Sequence, residues 1–339
     1  MRHSRSFRRV AVAATLAMCL VAPLSAETIK LVCSSREWCG LLRSKLAGSK
    51  NLPVEITELG TTEAFELIVA EKNRPRHDVW FGGTGDYHFE AAKRRLTLAY
   101  RSPNISLLDP WGEHFAEQSG YRSNGLHSGA LSFIVNTEVL AGHRLPEPRC
   151  WSDLARPEYR ALIQLGKPGG LYSVITTVVQ LMGEEEGFRY LRALDPNINY
   201  VDNGQIALAN VDRGNAAIAI AFAYGLNAAV LDGRRVKAVI PCEGTGYEIV
   251  GLSIIKGGPN PNGAKRFFDW ALTAEAQKLM GQSQPLSFHS GITGRTDGRI
   301  VDPPPTRLIN YDFFKYGSLE ERDRLLHKWA QVVEAGRRR

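Results

Sequence analysis

Ser34, Ser35 and Arg36 stand together in the run LVCSSREWCG, between Cys33 and Cys39. The apolar residues before them read as a strand. Trp38, Leu41, Leu42 and Leu46 after them recur at helical spacing. Two hydroxyls and an arginine therefore fall where a strand ends and a helix begins. A helix start leaves unpaired N–H groups and a partial positive charge. Hydroxyls add donors, and a guanidinium grips carboxylate or phosphate with two prongs. The chemistry this favours is the holding of a small anion.

Three further turns share the design: Gly82-Gly83-Thr84-Gly85 before Asp86, Gly169-Gly170-Leu171-Tyr172-Ser173, and Glu243-Gly244-Thr245-Gly246-Tyr247. Any one of them alone reads as a helix cap or a tight turn. Their weight lies in recurrence, because in α/β sheets such turns gather at the carboxyl ends of strands, where ligands bind. None is a phosphate-binding Gly-Lys-Ser/Thr loop or a dinucleotide fingerprint. A hydrolase reading would pair Ser34 with His77 or His88, but no third member stands at a recognisable place, and no Gly-x-Ser-x-Gly elbow occurs.

The elements that must position these turns alternate. ETIKLVCSS, LPVEITEL and HDVWFGGTGD read as strands, each followed by a helix-patterned segment. The middle repeats the grammar: GALSFIVNTEVL and NAAIAIAFAYG as strands, SVITTVVQLMG and EEEGFRYLRAL as helices. AKRFFDWALTAEAQKLMG reads as one helix, and SLEERDRLLHKWAQVVEA as a last helix opened by a Ser318–Glu321 capping box. The expectation is an α/β fold rich in parallel strands. The chain has 339 residues and no linker-like stretch, which favours two lobes crossed more than once.

Residues 1–26 read as a cleaved secretory signal: Arg2, Arg5, Arg8 and Arg9 in front, an apolar run from Val10 to Leu24, then Ser25-Ala26. The signal holds four arginines and no acid, so the net charge of +7 becomes +3 in the mature chain. That near-neutral body gives no electrostatic ground for nucleic-acid binding. Four of the five cysteines remain after cleavage: Cys33, Cys39, Cys150 and Cys242. An exported chain with an even count points to disulfides, and three pairings are open. Cys33 with Cys39 is the first choice, since a local bridge would pin the turn between strand and helix.

The blocks HDVWFGGTGDYHFEAAKRRLTLAYRSP, WSDLARPEYRALIQLGKPGG with VVQLMGEEEGFRYLRAL, and PCEGTGYEIVGLSIIKGGPNPNGAKRFFDWALTAEAQ come in this order over most of the mature chain. In these the chain resembles periplasmic solute-binding proteins of ABC importers, in the iron(III)-binding-like cluster that includes phosphosugar, phosphoglycerate and phosphonate binders. The resemblance implies a type II two-lobed fold with two hinge strands and a central cleft. Lobe one would comprise residues 27–130 plus 250–305, and lobe two 131–249 plus 306–339, with crossings near Gly129–Ser132 and Gly246–Gly251. It implies a monomer that is not an enzyme and needs no cofactor, with a small anionic solute and an ABC permease as partners. Ser34, Ser35 and Arg36 match the family's first ligand loop, Gly83 and Thr84 the second, and Ser173 the region of the third. Glu243 and Thr245 fall where relatives place an acid near sugar or metal. Phosphosugar binders often carry a His-Asp pair where Ala223 and Tyr224 stand here. Iron(III) is the alternative cargo, with Tyr224 and Glu243 as first ligand candidates, and a sensory binding protein would use the same cleft.

Overall fold

The computed structural model describes residues 27–46, 48–107, 110–167, 169–222, 235–281, 295–296, 299–300 and 307–337. The expected signal segment and Tyr224 lie outside the described residues, as does the side chain of Arg36.

The chain opens with β1 (Ile29–Cys33), α1 (Arg36–Lys45), β2 (Val54–Glu58), α2 (Thr61–Ala70), β3 (Val79–Thr84) and α3 (Gly85–Lys93). After α4 (Pro110–Gln118) comes the long β4 (Asn124–Asn136), then α5 (Thr137–Gly142) and α6 (Trp151–Leu154). Next are β5 (Ile163–Gly166), α7 (Gly169–Met182), α8 (Glu184–Leu194), β6 (Ile198–Val201), α9 (Gly204–Asp212) and β7 (Ile218–Phe222). β8 (Val236–Val239) and β9 (Tyr247–Ile254) lead to α10 (Pro261–Ala271) and α11 (Ala274–Gly281), and later to α12 (Phe313–Tyr316) and α13 (Leu319–Trp329).

Nine of these strands form one sheet, in the order β2-β1-β3-β9-β4-β7-β5-β6, with β8 also on β4. β1 lies parallel to both β2 and β3, and β5 parallel to both β6 and β7. These parallel triplets are the centres of two lobes. β4 joins them: it pairs with β9 from Asn124 to Ala130, then with β7 from Leu131 to Val135. All thirteen of its residues are buried, as expected of a strand covered on both faces. Separate apolar clusters fill the halves, one around Trp38, Phe81 and Phe267, another around Phe133, Trp151 and Ile175.

Both disulfides are formed, Cys33–Cys39 and Cys150–Cys242. The first closes the β1–α1 turn, as expected. The segment AKRFFDWALTAEAQKLMG is two helices rather than one. Thr273 divides them: its hydroxyl donates to the Trp270 carbonyl at 2.7 Å and accepts from Ala276 N at 3.3 Å. A threonine that bonds local backbone competes with the helix ladder. Ser318 caps α13 as read from the sequence, accepting from Glu321 N at 3.2 Å. No helix among the described residues is long and apolar enough to cross a membrane.

Candidate functional site

A cavity of about 450 Å³ lies where the two parallel triplets face each other. Four helices present their N-terminal residues to it. Thr61 and Thr62 open α2, Thr84 and Gly85 open α3, Gly169 and Gly170 open α7, and Asn203 and Gly204 open α9. Each of these helices is nine residues or longer. Their unpaired N–H groups and aligned dipoles make the cavity receptive to negative charge.

Local sequence explains how the N-termini reach one point. β3 pairs with β9 through Phe81–Leu252 and then slips register before Thr84–Val250. Gly82 and Gly83 absorb the slip at φ +80° and +85°, values that favour glycine. A Cβ on Gly82 would lie 3.0 Å from the Ser35 Cβ, and one on Gly83 3.0 Å from Thr61 Oγ1. The glycines thus let three chain segments converge. Gly166 does the same in the other lobe, where a Cβ would sit 2.4 Å from Gly204 N.

Buried beneath the first turn is His88. Its ring stacks on Trp80 at 3.8 Å. Nε2 donates to the Gly82 carbonyl at 2.8 Å, which leaves Nδ1 to accept from Ser253 Oγ at 2.8 Å. Burial pushes the His88 pKa down to about 3, so the ring is neutral and fixes the turn. β9 passes so close that a Cβ on Gly251 would fall 2.3 Å from the His88 ring.

Charged side chains complete the walls: Asp86, Lys167, Asp202, Glu248 and Arg322. Arg322 Nη1 donates to Asp86 Oδ2 at 2.6 Å, and Asp86 also accepts from Thr84 Oγ1 and, at 3.0 Å, from Tyr87 N. Lys167 Nζ lies 4.1 Å from the Tyr200 ring centroid and 4.4 Å from that of Trp329. Tyr172 and Tyr311 line the cavity too. Tyr172 OH donates to the Tyr316 carbonyl at 2.6 Å, and Tyr311 OH to Thr176 Oγ1 at 2.9 Å. Burial pushes both phenols above their ordinary value.

Of the residues singled out in the sequence, Thr84 and Ser173 line the cavity. Gly83 shapes its wall from behind. Ser34 and Ser35 support that wall: Ser34 Oγ accepts from Trp80 Nε1 at 3.0 Å, and Ser35 packs on Gly82. Arg36 opens α1 beside them. Glu243 and Thr245 stand elsewhere. Glu243 accepts from Trp151 N at 2.8 Å and Ser152 N at 3.2 Å, capping α6. Thr245 is fully buried and donates to the Leu131 carbonyl at 2.6 Å. Sequence reasoning passed over Thr61–Thr62 and Asn203–Gly204, whose cap chemistry was visible, and Lys167 and Arg322, which no motif marks.

Residues 84–297 match the family described as bacterial extracellular solute-binding protein. The chain belongs to that family. An uncharacterised protein of Haemophilus influenzae is 39% identical over 281 residues, 81% of each chain. Among solved structures, the periplasmic binding protein AfuA of Actinobacillus pleuropneumoniae, with exogenous fructose 6-phosphate bound, is 34% identical at a TM-score of 0.79. The match covers 91% of this chain and 99% of AfuA. The periplasmic binding protein P5PA is 32% identical at a TM-score of 0.76, covering 91% and 100%. Iron-bound HitA of Pseudomonas aeruginosa shares the fold at 17% identity and a TM-score of 0.75, covering 90% and 99%. This solute-binding protein thus has the two-lobed α/β fold of the periplasmic binding proteins.

Proposed function

We propose that the cavity captures a small phosphorylated or phosphonate organic solute in the periplasm and hands it to an ABC permease. The observation that carries this is the convergence of four helix N-termini on one cavity. An anion gains from each dipole and can take several N–H bonds at once. Thr84 and Ser173 put hydroxyls on the cavity wall, where they donate to Asp86 and to the Gly169 carbonyl and can turn to a ligand, and Arg322 adds a guanidinium. Asp202 and Glu248 on the same walls suit the hydroxyl or amine groups of the remainder of the solute. AfuA, with its bound fructose 6-phosphate, supports the same class. Ala223 and Tyr224, where phosphosugar binders often have His-Asp, argue for a different remainder.

An iron(III) cargo would need phenolates or comparable anionic ligands. The buried hydroxyls of Tyr172 and Tyr311 instead donate to protein acceptors, and burial disfavours their ionisation. The organic anion is therefore the better match to this cavity.

In the proposed cycle the solute first meets the α2 and α3 termini of one lobe, from residues 27–130 and 250–305. The α7 and α9 termini of the other, within residues 131–249, then close on it as β4 and β9 bend. Closure follows because only the closed state offers both sets of contacts.

A thermal-shift screen tests the class. It takes sugar phosphates, glycerol phosphates, phosphonates, thiamine phosphates, uncharged sugars and iron(III) citrate. At a hundredfold excess over Kd, a ligand adds about 2.7 kcal/mol, or roughly 5 °C in Tm for a chain of this size. A shift of that order with a phosphorylated or phosphonate compound is expected. A shift with iron(III) citrate or uncharged sugars alone would overturn the reading.

A further inference from the structure

The C-terminal segment spans both lobes. Phe313 packs edge-on against Phe115, Tyr311 donates to Thr176 of α7, and α13 is tied to α8 through Glu184. Arg324 and Lys328 make those ties at 2.8 and 2.5 Å. α13 thereby delivers Arg322 into the cavity. The guanidinium carbon stands 4.8 Å from the Tyr172 ring centroid and 5.8 Å from that of Tyr87. Tyr172 is itself locked by its bond to the Tyr316 carbonyl.

The Arg322 guanidinium makes one hydrogen bond among the described residues, Nη1 to Asp86. A guanidinium has five N–H donors, so most of its fork stays available on the cavity side. The partners are 16% and 18% exposed, enough shielding for the charge to act strongly on a ligand. Asp86 in turn sits in the first turn of α3, with its carboxylate bonded to Thr84 Oγ1 and Tyr87 N. A carboxylate there occupies ground that a ligand anion at the same helix end would seek.

We propose that Arg322 is the side chain that reads the solute's anionic group, and that Asp86 holds it ready in the empty protein as an internal stand-in for that group. The C-terminal segment is then part of the binding apparatus, and the solute competes with Asp86 for the guanidinium. This rests on the functional reading above and sharpens it to one ion pair.

The test measures binding by calorimetry, with fructose 6-phosphate, glycerol 3-phosphate and inorganic phosphate as probes. Arg322→Gln is expected to weaken binding of phosphorylated probes by about 10- to 100-fold, the loss of a charged hydrogen bond. Asp86→Asn removes the competitor and is expected to tighten binding several-fold. Opposite signs in the two variants support the proposal, because a merely structural ion pair would weaken binding, or leave it unchanged, in both. Binding by Arg322→Gln within threefold of wild type overturns it, as does weaker binding by Asp86→Asn. If the wild-type protein binds none of the probes, the functional reading falls and this inference with it.

Discussion

Lowering the pH from about 7.5 to about 5 is expected to remove roughly 4 kcal/mol of folding stability. Two fully buried histidines are responsible. Burial pushes the His88 pKa down to about 3 and that of His127 down to about 4, from an ordinary value of 6.5. The unfolded chain therefore takes up protons below about 6.5, while the folded chain does so only near 3 and 4. In that window the unfolded state binds more protons, so stability rises with pH and falls on acidification. At pH 5 each histidine accounts for about 2 kcal/mol, from the 1.5 units between that pH and the unfolded pKa. Glu184 adds loss of the same sign only below its ordinary value of 4.5, because bonds from Arg324 and Lys328 hold it down to about 2. Urea midpoints measured at both pH values check this. Equal midpoints would mean that both rings are hydrated in the native protein. His88 also fixes the Gly82 carbonyl, and because its folded ring stays neutral down to about 3, the anion affinity of the native protein should not change through it between pH 7.5 and 5.

Replacing Cys150 and Cys242 by serine is expected to cost about 4–5 kcal/mol, most of it from the freed unfolded chain. The bridge spans 92 residues, against six for Cys33–Cys39. Cys242 is exposed and Cys150 half-buried, so serines fit without a core cavity. The bridge also presses the loop before β9 onto α6. Next to Cys242, Glu243 caps the helix, and Trp151 Nε1 donates to the Gly244 carbonyl at 3.1 Å. Because Cys33 and Cys39 are fully buried, a mild reductant should open Cys150–Cys242 first. Urea unfolding of Cys150→Ser/Cys242→Ser against wild type gives the number. A loss under about 1 kcal/mol would show that the loop is held by its packing instead.

The alternation of strands and helices was legible where a short apolar run leads into glycine, serine or threonine, as it does at the ends of β1, β3 and β5. Thr84 and Ser173 were legible as candidate site residues: a small polar residue at a strand-to-helix turn, or one turn past it as in α7, is a local signal. Glu243 carries an equally plain signal, an acid among glycines, yet tertiary packing assigns its carboxylate to the α6 terminus. The Asp86–Arg322 pair joins residues 236 positions apart, and no spacing rule links them. The reach of β4 was partly hidden as well. Its first residues, Asn124 to Ser128, mix polar and apolar types, and only pairing with β9 makes them a buried strand.

The most direct test is a crystal structure of the protein with the phosphorylated or phosphonate compound that gives the largest thermal shift. Its anionic group should lie about 3 Å from backbone nitrogens at two or more of the α2, α3, α7 and α9 termini. An anionic group turned toward bulk water, or seated outside the space between the two sheet halves, would contradict the account.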